Sequence, residues 1–192
     1  IFSNEQLLPI MKNWNLALSK ISNESKYCKV VHADDLLFPL CLKQMVSLAE
    51  NHPTVGVVGS YGLWGNRVVC DGLPHTVEFL PGKELCRLTL LNRINCFWSP
   101  SSLLIRSDLI RKRHCFYNEK IIHADVEACY EILKEADFGF VHQVLTFIRR
   151  HEDSVTSLLA APFKREILWN MDLFLKFGPI FLSNDEYNGH RS

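Results

Sequence analysis

Long apolar runs are missing from this 192-residue sequence. A membrane-spanning helix takes about eighteen or more consecutive apolar residues. Stretches such as Val55 to Val58 and Leu88 to Leu91 are far shorter. Net charge is missing too, because 21 Lys and Arg balance 21 Asp and Glu. That balance gives no global pull toward nucleic acid or an anionic membrane. It leaves peripheral membrane association through a local patch open. Seven cysteines stand at 28, 41, 70, 86, 96, 115 and 129, and no two are spaced CxxC. A closed zinc site is therefore not expected. Their odd number and irregular spacing do not suit a disulfide framework, so a reducing, cytoplasmic setting is expected. Each cysteine reads as a small buried hydrophobe. The start, Ile1-Phe2-Ser3-Asn4, has no initiator Met, basic n-region or apolar h-region. It is not a signal peptide, and the chain reads as a fragment or a processed form. There is no internal repeat and no low-complexity segment.

What is present is ordinary globular composition, 47% hydrophobic and 22% charged, enough for one domain with a small appendage. Trp14, Ala17, Leu18 and Ile21 fall on one helical face, with Pro9 at or before the first turn. Lys29 to His32 predicts a buried strand. Pro39 opens a second helix with Leu42, Met45, Val46 and Ala49 on one face, ended by Asn51-His52-Pro53. Val55 to Tyr61 is the best strand. The order helix, strand, helix, strand predicts parallel α/β architecture. Further on, Gly65-Asn66 reads as a turn between two short strands, and 82–91 as a helix. A strand is expected over 101–105, with a short helix from Asp108. Val126, Cys129, Tyr130 and Leu133 predict a helix over 125–135. One or two strands are expected over 138–148, and an apolar helix over 158–177, interrupted at Pro162. The end, 183–192, is polar and expected to fray.

The chemistry-bearing motif is His32-Ala33-Asp34-Asp35. It follows the first predicted strand, where open α/β sheets bind ligands. Two adjacent carboxylates on a tight turn repel unless a cation or donors lie between them. A hard divalent metal on a diphosphate suits them. The competing reading is a helix cap. With Pro39 as the first helical residue the cap position is Phe38, and Asp35 lies three residues too early. A solvated acidic turn stays open.

Several segments together resemble glycosyltransferase family 2. They are Asn13 to Leu18, Tyr27, Val30 to Pro39 with the Asp-Asp pair, and Met45 to Gly59 with its Pro53-x-Val55-Gly56-x-Val58 run. Pro100-Ser101-Ser102, Ala124-Asp125-Val126-Glu127 and Arg150-His151-Glu152-Asp153-Ser154 follow in the family's order. The ordered set, over about residues 5–160, carries the resemblance. It implies a GT-A type fold, a Rossmann-like mixed sheet flanked by helices. It implies inverting transfer of a sugar from a nucleotide-diphosphate sugar to a glycan, lipid-linked or protein acceptor. It implies Asp35 on a divalent metal (Mn²⁺ or Mg²⁺) and Asp34 beside the donor. It implies Asp125 as general base, and Arg150 and His151 on the pyrophosphate. Trp98 and Ser101 fall where the fold places its acceptor. Residues 1–160 would be the C-terminal part of the transferase domain, and 161–192 a helix and tail. The chain departs from the family at His32 and Ala124, where carboxylates are usual. It also departs at the front, where the family's first strand-helix-strand unit is expected upstream of residue 1. The 192-residue chain alone is accordingly expected to be inactive.

Each role has a plainer counterpart. Asp125 could be an N-cap, Arg149 to Asp153 a solvated charge run, and Trp98 a half-buried anchor. Trp14 reads as core, and His32 as a structural hydrogen-bonding residue. A non-catalytic nucleotide- or carbohydrate-binding module on the same scaffold is the main alternative. A phosphohydrolase ranks low, because Gly56 and Gly59 form no phosphate-cradling loop.

Overall fold

The computed structural model describes residues 2–121, 123–149 and 164–191. Its elements run α1 (Ile10–Leu18), β1 (Tyr27–Cys28), β2 (Leu36–Leu37), α2 (Cys41–Asn51), β3 (Val55–Trp64), β4 (Arg67–Val69) and β5 (Phe79–Leu80). They continue with α3 (Gly82–Leu90), a 3₁₀ turn (Pro100–Ser102), β6 (Leu103–Arg106), α4 (Ser107–Arg111), α5 (Ala124–Ile132) and β7 (Asp137–Ile148). Two last helices are α6 (Lys164–Phe181) and α7 (Asn184–Arg191).

The sheet is mixed, in the order β1-β6-β3-β7-β2, with β4 on β3 and β5 on β7. Among the described residues only β3 and β7 run parallel. The other pairings are antiparallel, so the expectation of a parallel sheet is corrected to a parallel core with antiparallel flanks. Alternate residues face opposite layers, as the two-residue strand period requires. Val57, Leu103, Ile105, Phe138 and Phe140 enter one apolar core with residues of α3, α5 and α6. Val58, Leu104, Val141 and Leu145 enter a second core under α2.

Other expectations shift in instructive ways. Residues 29–32 are not in the ladder, and the strand pairing β6 is Tyr27–Cys28. The Lys29 ammonium instead donates to the Leu103 carbonyl, and the His32 N–H to Ser101 Oγ. Side-chain bonds there take the place of strand pairing. Helix α2 begins at Cys41, not Pro39. Its buried face is Cys41, Met45 and Ala49 at i, i+4 and i+8, while Leu42 is 51% exposed. Helix α1 stops at Leu18, short of Ile21. The 183–192 region holds a helix, α7, not a frayed end. Arg87 of α3 grips Glu186 in a bidentate ion pair, and Tyr187 stacks on Phe174. Residues 158–163 lie outside the described residues. All seven cysteines are free, and five are buried.

Two glycines matter for geometry. Gly65, at φ 60°, opens the two-residue loop between Trp64 and Arg67, the place a type II′ hairpin turn reserves for glycine. Gly82 starts α3 where a Cβ would meet the Ala136 carbonyl oxygen at 2.0 Å and that of Leu133 at 2.7 Å. Both neighbours are backbone and cannot step aside. Gly82→Ala is therefore expected to destabilise by about 2–3 kcal/mol, seen as a drop in Tm of about 5 °C or more.

Candidate functional site

Strands β3 and β7 end at the same edge of the sheet, with Trp64 opposite Ile148. Strand β2 pairs back onto β7 there, Leu36 opposite Phe147. The 3₁₀ turn feeding β6 reaches the same edge, because the Thr146 hydroxyl donates to the Ser101 carbonyl at 3.0 Å. Register shifts near Ser60, Tyr61 and Gly62 bend the pair just before this end, as bulges beside functional sites often do. The carboxyl ends of the two parallel strands thus gather Asp35, His32, Ser101, Trp64 and Arg149, in the position where α/β sheets bind ligands.

At the centre is a turn, His32 to Asp35, closed by the Asp35 N–H donating to the His32 carbonyl. It leaves His32 and Asp35 facing each other, His32 Nδ1 lying 3.7 Å from Asp35 Oδ2. The Asp35 side chain is only 2% exposed. Its Oδ1 accepts the Arg149 N–H at 3.1 Å. Oδ2 is buried with no hydrogen-bond partner among the described residues, as is His32 Nε2. Buried polar atoms are nearly always paired, so a carboxylate oxygen without a partner among the described residues is a candidate position for a ligand. The cap reading of Asp35 fails, since α2 starts at Cys41 behind a non-capping Leu40. Asp34 is half-buried beside it. The His32 ring is fixed by stacking on Trp14, with centroids 4.9 Å apart. Burial pushes its pKa below the usual value, against the pull of Asp35 and Asp34.

Lys29, three residues upstream, has its ammonium pressed between Leu103 O and the Met45 thioether. Burial lowers its pKa from 10.5 to about 8. The unfolded chain then holds the proton more tightly. The cost to folding is full below about pH 8 and fades toward pH 10.5, so stability rises with pH in that window. Lys29→Met should raise Tm at neutral pH and flatten that rise, as melts taken from about pH 7 to 10.5 would show.

Trp98 lies against Trp64 at this edge, centroids 5.7 Å apart, and is 38% exposed. Its ring is open to a ligand. Ser101 is fully buried, and its hydroxyl accepts the His32 N–H at 3.0 Å. It holds the turn and presents no surface to an acceptor. Asp125 sits in the first turn of α5, one residue inside it, behind His123, which makes no side-chain cap bond. Burial raises its carboxyl to about 6, against the N–H groups of Val126 and of Asp125 itself. Among the described residues it connects to the Asp35 turn through intermediaries. The Asp125 charge bears on Tyr117, Tyr117 packs edge-on to Trp14, and Trp14 stacks on His32. Arg150 and His151 lie outside the described residues. Arg149 comes to the site by its backbone, and its side chain is exposed. Sequence reasoning did not single out this amide, nor His32 as a partner of Asp35. The signal for the latter was the i, i+3 spacing across a tight turn.

Solved structures supply the comparison. The fold is similar to that of S. aureus TarS. Against TarS 1–349 the TM-score is 0.52 at 17% identity, covering 72% of this chain and 39% of that one. Against the longer TarS structure it is 0.54 at 16% identity, covering 91% and 32%. Against TarS 1–349 in complex with UDP-GlcNAc it is 0.52 at 15% identity, covering 84% and 45%. TarS 1–349 has also been solved with UDP. The chain spans less than half the length of these structures. No protein-family model and no curated protein sequence matches it. The expected architecture, a Rossmann-like mixed sheet flanked by helices, is the one observed. No helix among the described residues is long and apolar enough to cross a membrane.

Proposed function

We propose that this chain belongs to a family 2 type glycosyltransferase. It would move a sugar, with inversion, from a nucleotide-diphosphate sugar to a glycan, lipid-linked or protein acceptor. The observation that carries the reading is the buried, unpartnered Oδ2 of Asp35 at the carboxyl ends of the parallel strands. Likeness of fold to a protein solved with UDP and UDP-GlcNAc supports the donor class. Among the described residues no group of three His, Cys, Asp or Glu side chains could hold a metal. Asp35 with its one open oxygen fits a cation that takes its remaining ligands from diphosphate and water, as Mg²⁺ and its relatives commonly do. Mn²⁺ or Mg²⁺ bound there would supply charge relief on the departing diphosphate.

The chain's own groups have separate tasks. The Arg149 N–H holds Asp35 in one rotamer and leaves Oδ2 free. Asp34 is assigned to the donor. Arg150 and His151, next in sequence after Arg149, are assigned to the pyrophosphate. The Trp98 ring is assigned to stacking on the acceptor. Asp125, with its pKa raised to about 6, is ionised at neutral pH yet basic enough to take a proton from an acceptor hydroxyl.

Calorimetric titration of UDP, with and without Mn²⁺, into the native full-length protein tests this. Binding that needs Mn²⁺ and is lost in Asp35→Asn is the expected result. Equal binding by folded wild type and variant would overturn the assignment of Asp35. One observation favours a second reading, a non-catalytic binding module. Asp125 is engaged by its own helix turn, and no hydrogen bond or ion pair among the described residues joins it to the Asp35 turn.

A further inference from the structure

We infer that His32 is itself a metal ligand, so that the cation site pairs a nitrogen with an oxygen and selects Mn²⁺ or Co²⁺ over Mg²⁺. This rests on the proposed cation at Asp35 and adds to it. Three contacts set the imidazole in place without using the Asp35 carboxylate. The His32 N–H is fixed on Ser101 Oγ at 3.0 Å. The ring plane lies on Trp14, 25° from parallel. The turn is closed by the Asp35 N–H on the His32 carbonyl. A side chain held this firmly should have a settled partner for its ring nitrogens. Yet Nδ1 faces Asp35 Oδ2 at 3.7 Å, too far for a hydrogen bond. Nothing else among the described residues satisfies that oxygen.

The same separation suits two donors on one ion. Each stands about 2.0–2.2 Å from a first-row divalent metal, so two can lie up to about 4.3 Å apart. In this arrangement Nε2 keeps the ring proton, and Oδ1 stays with the Arg149 N–H. The donor set then decides the ion. Mg²⁺ takes oxygen ligands almost exclusively. Imidazole favours the later first-row metals, and carboxylate is tolerated by Mn²⁺ and its neighbours. A site with one imidazole and one carboxylate therefore disfavours Mg²⁺. The family pattern, which usually has a carboxylate where His32 stands, would not impose that bias.

The experiment uses the native full-length protein with saturating UDP. Mn²⁺ and Mg²⁺ affinities are measured by calorimetry, and Mn²⁺ is examined by pulsed EPR for coupling to ¹⁴N. Expected are Mn²⁺ binding at least about tenfold tighter than Mg²⁺ and a ¹⁴N coupling that vanishes in His32→Gln. Mn²⁺ affinity should fall about tenfold in that variant. His32→Asp should restore the affinity with the preference moved toward Mg²⁺. Thermal melts confirm that each variant is folded. Mn²⁺ binding without ¹⁴N coupling, unchanged in His32→Gln and lost in Asp35→Asn, would overturn the role of His32 and leave the carboxylate site standing. No cation binding by folded wild type in the presence of UDP would overturn both.

Discussion

Asp125→Asn should cut the rate of sugar transfer by the native full-length protein about 10²–10⁴-fold, the usual range for loss of a general base. UDP affinity should not change. The substitution is close to isosteric, and an amide oxygen can still accept the first-turn N–H groups of α5 that the carboxylate uses. The loss would then be chemical, not structural. The pH profile provides a second readout. Burial lifts the Asp125 carboxyl from 3.8 to about 6. Wild-type turnover should therefore fall on the acid side of about pH 6, as the base takes up its proton, and the residual activity of the variant should lack that limb. Stability carries the opposite sign. The native state binds this proton more tightly than the unfolded chain, so stability falls as pH rises from about 4 to 6, and the cost is full above that. The Asn variant escapes the cost and should melt higher than wild type at pH 7.5, but not at pH 4. Unchanged turnover would move the protein to the non-catalytic module.

Part of this architecture can be read from residue order alone. Strand β3 declares itself through its Val and Gly run, α5 through its spacing, and the β3–β4 hairpin through Gly65-Asn66, because each is specified by local preference. Strands β1 and β2 are not legible, being two residues long and defined by their partners on β6 and β7. Helix α7 looks like a polar tail, and its order comes from Arg87, 99 positions before Glu186, and from Phe174, 13 positions before Tyr187. Helix α2 keeps Met45 and Ala49 of its expected face and buries Cys41 in place of Leu42, for a similar reason. Its start is set by the Leu36–Leu37 pairing and the turn after it, not by Pro39.

The candidate site divides in the same manner. Asp34 and Asp35 are visible as a pair, since adjacent carboxylates on a turn are electrostatically conspicuous. Which oxygen is held and which is open depends on the Arg149 amide, 114 positions away, and no local pattern encodes that. Ser101 shows the reverse. Its hydroxyl suggests contact with an acceptor, while the fold turns it inward to hold His32.

Asp35→Asn should do two things that ordinarily do not go together. It should remove Mn²⁺-dependent UDP binding, and it should make the ligand-free protein more stable. A buried acceptor without a partner costs about 1–3 kcal/mol, and Oδ2 of Asp35 is such an atom. The Asn side chain keeps an oxygen for the Arg149 N–H. It places an NH₂ near His32 Nδ1, 3.7 Å from the present oxygen, where a small shift makes a hydrogen bond. The ligand-free Tm should rise by about 3 °C or more. Adding Mn²⁺ and UDP reverses the order. Wild type gains about 2.7 kcal/mol at a hundred times its Kd, and the variant gains nothing, so the two melting curves cross. This crossing separates a binding carboxylate from a structural one. A structural Asp35 would lose stability on substitution, whatever the ligand. If the ligand-free variant melts below wild type, Oδ2 has a partner within the protein and cannot be the open coordination position on which the functional reading depends.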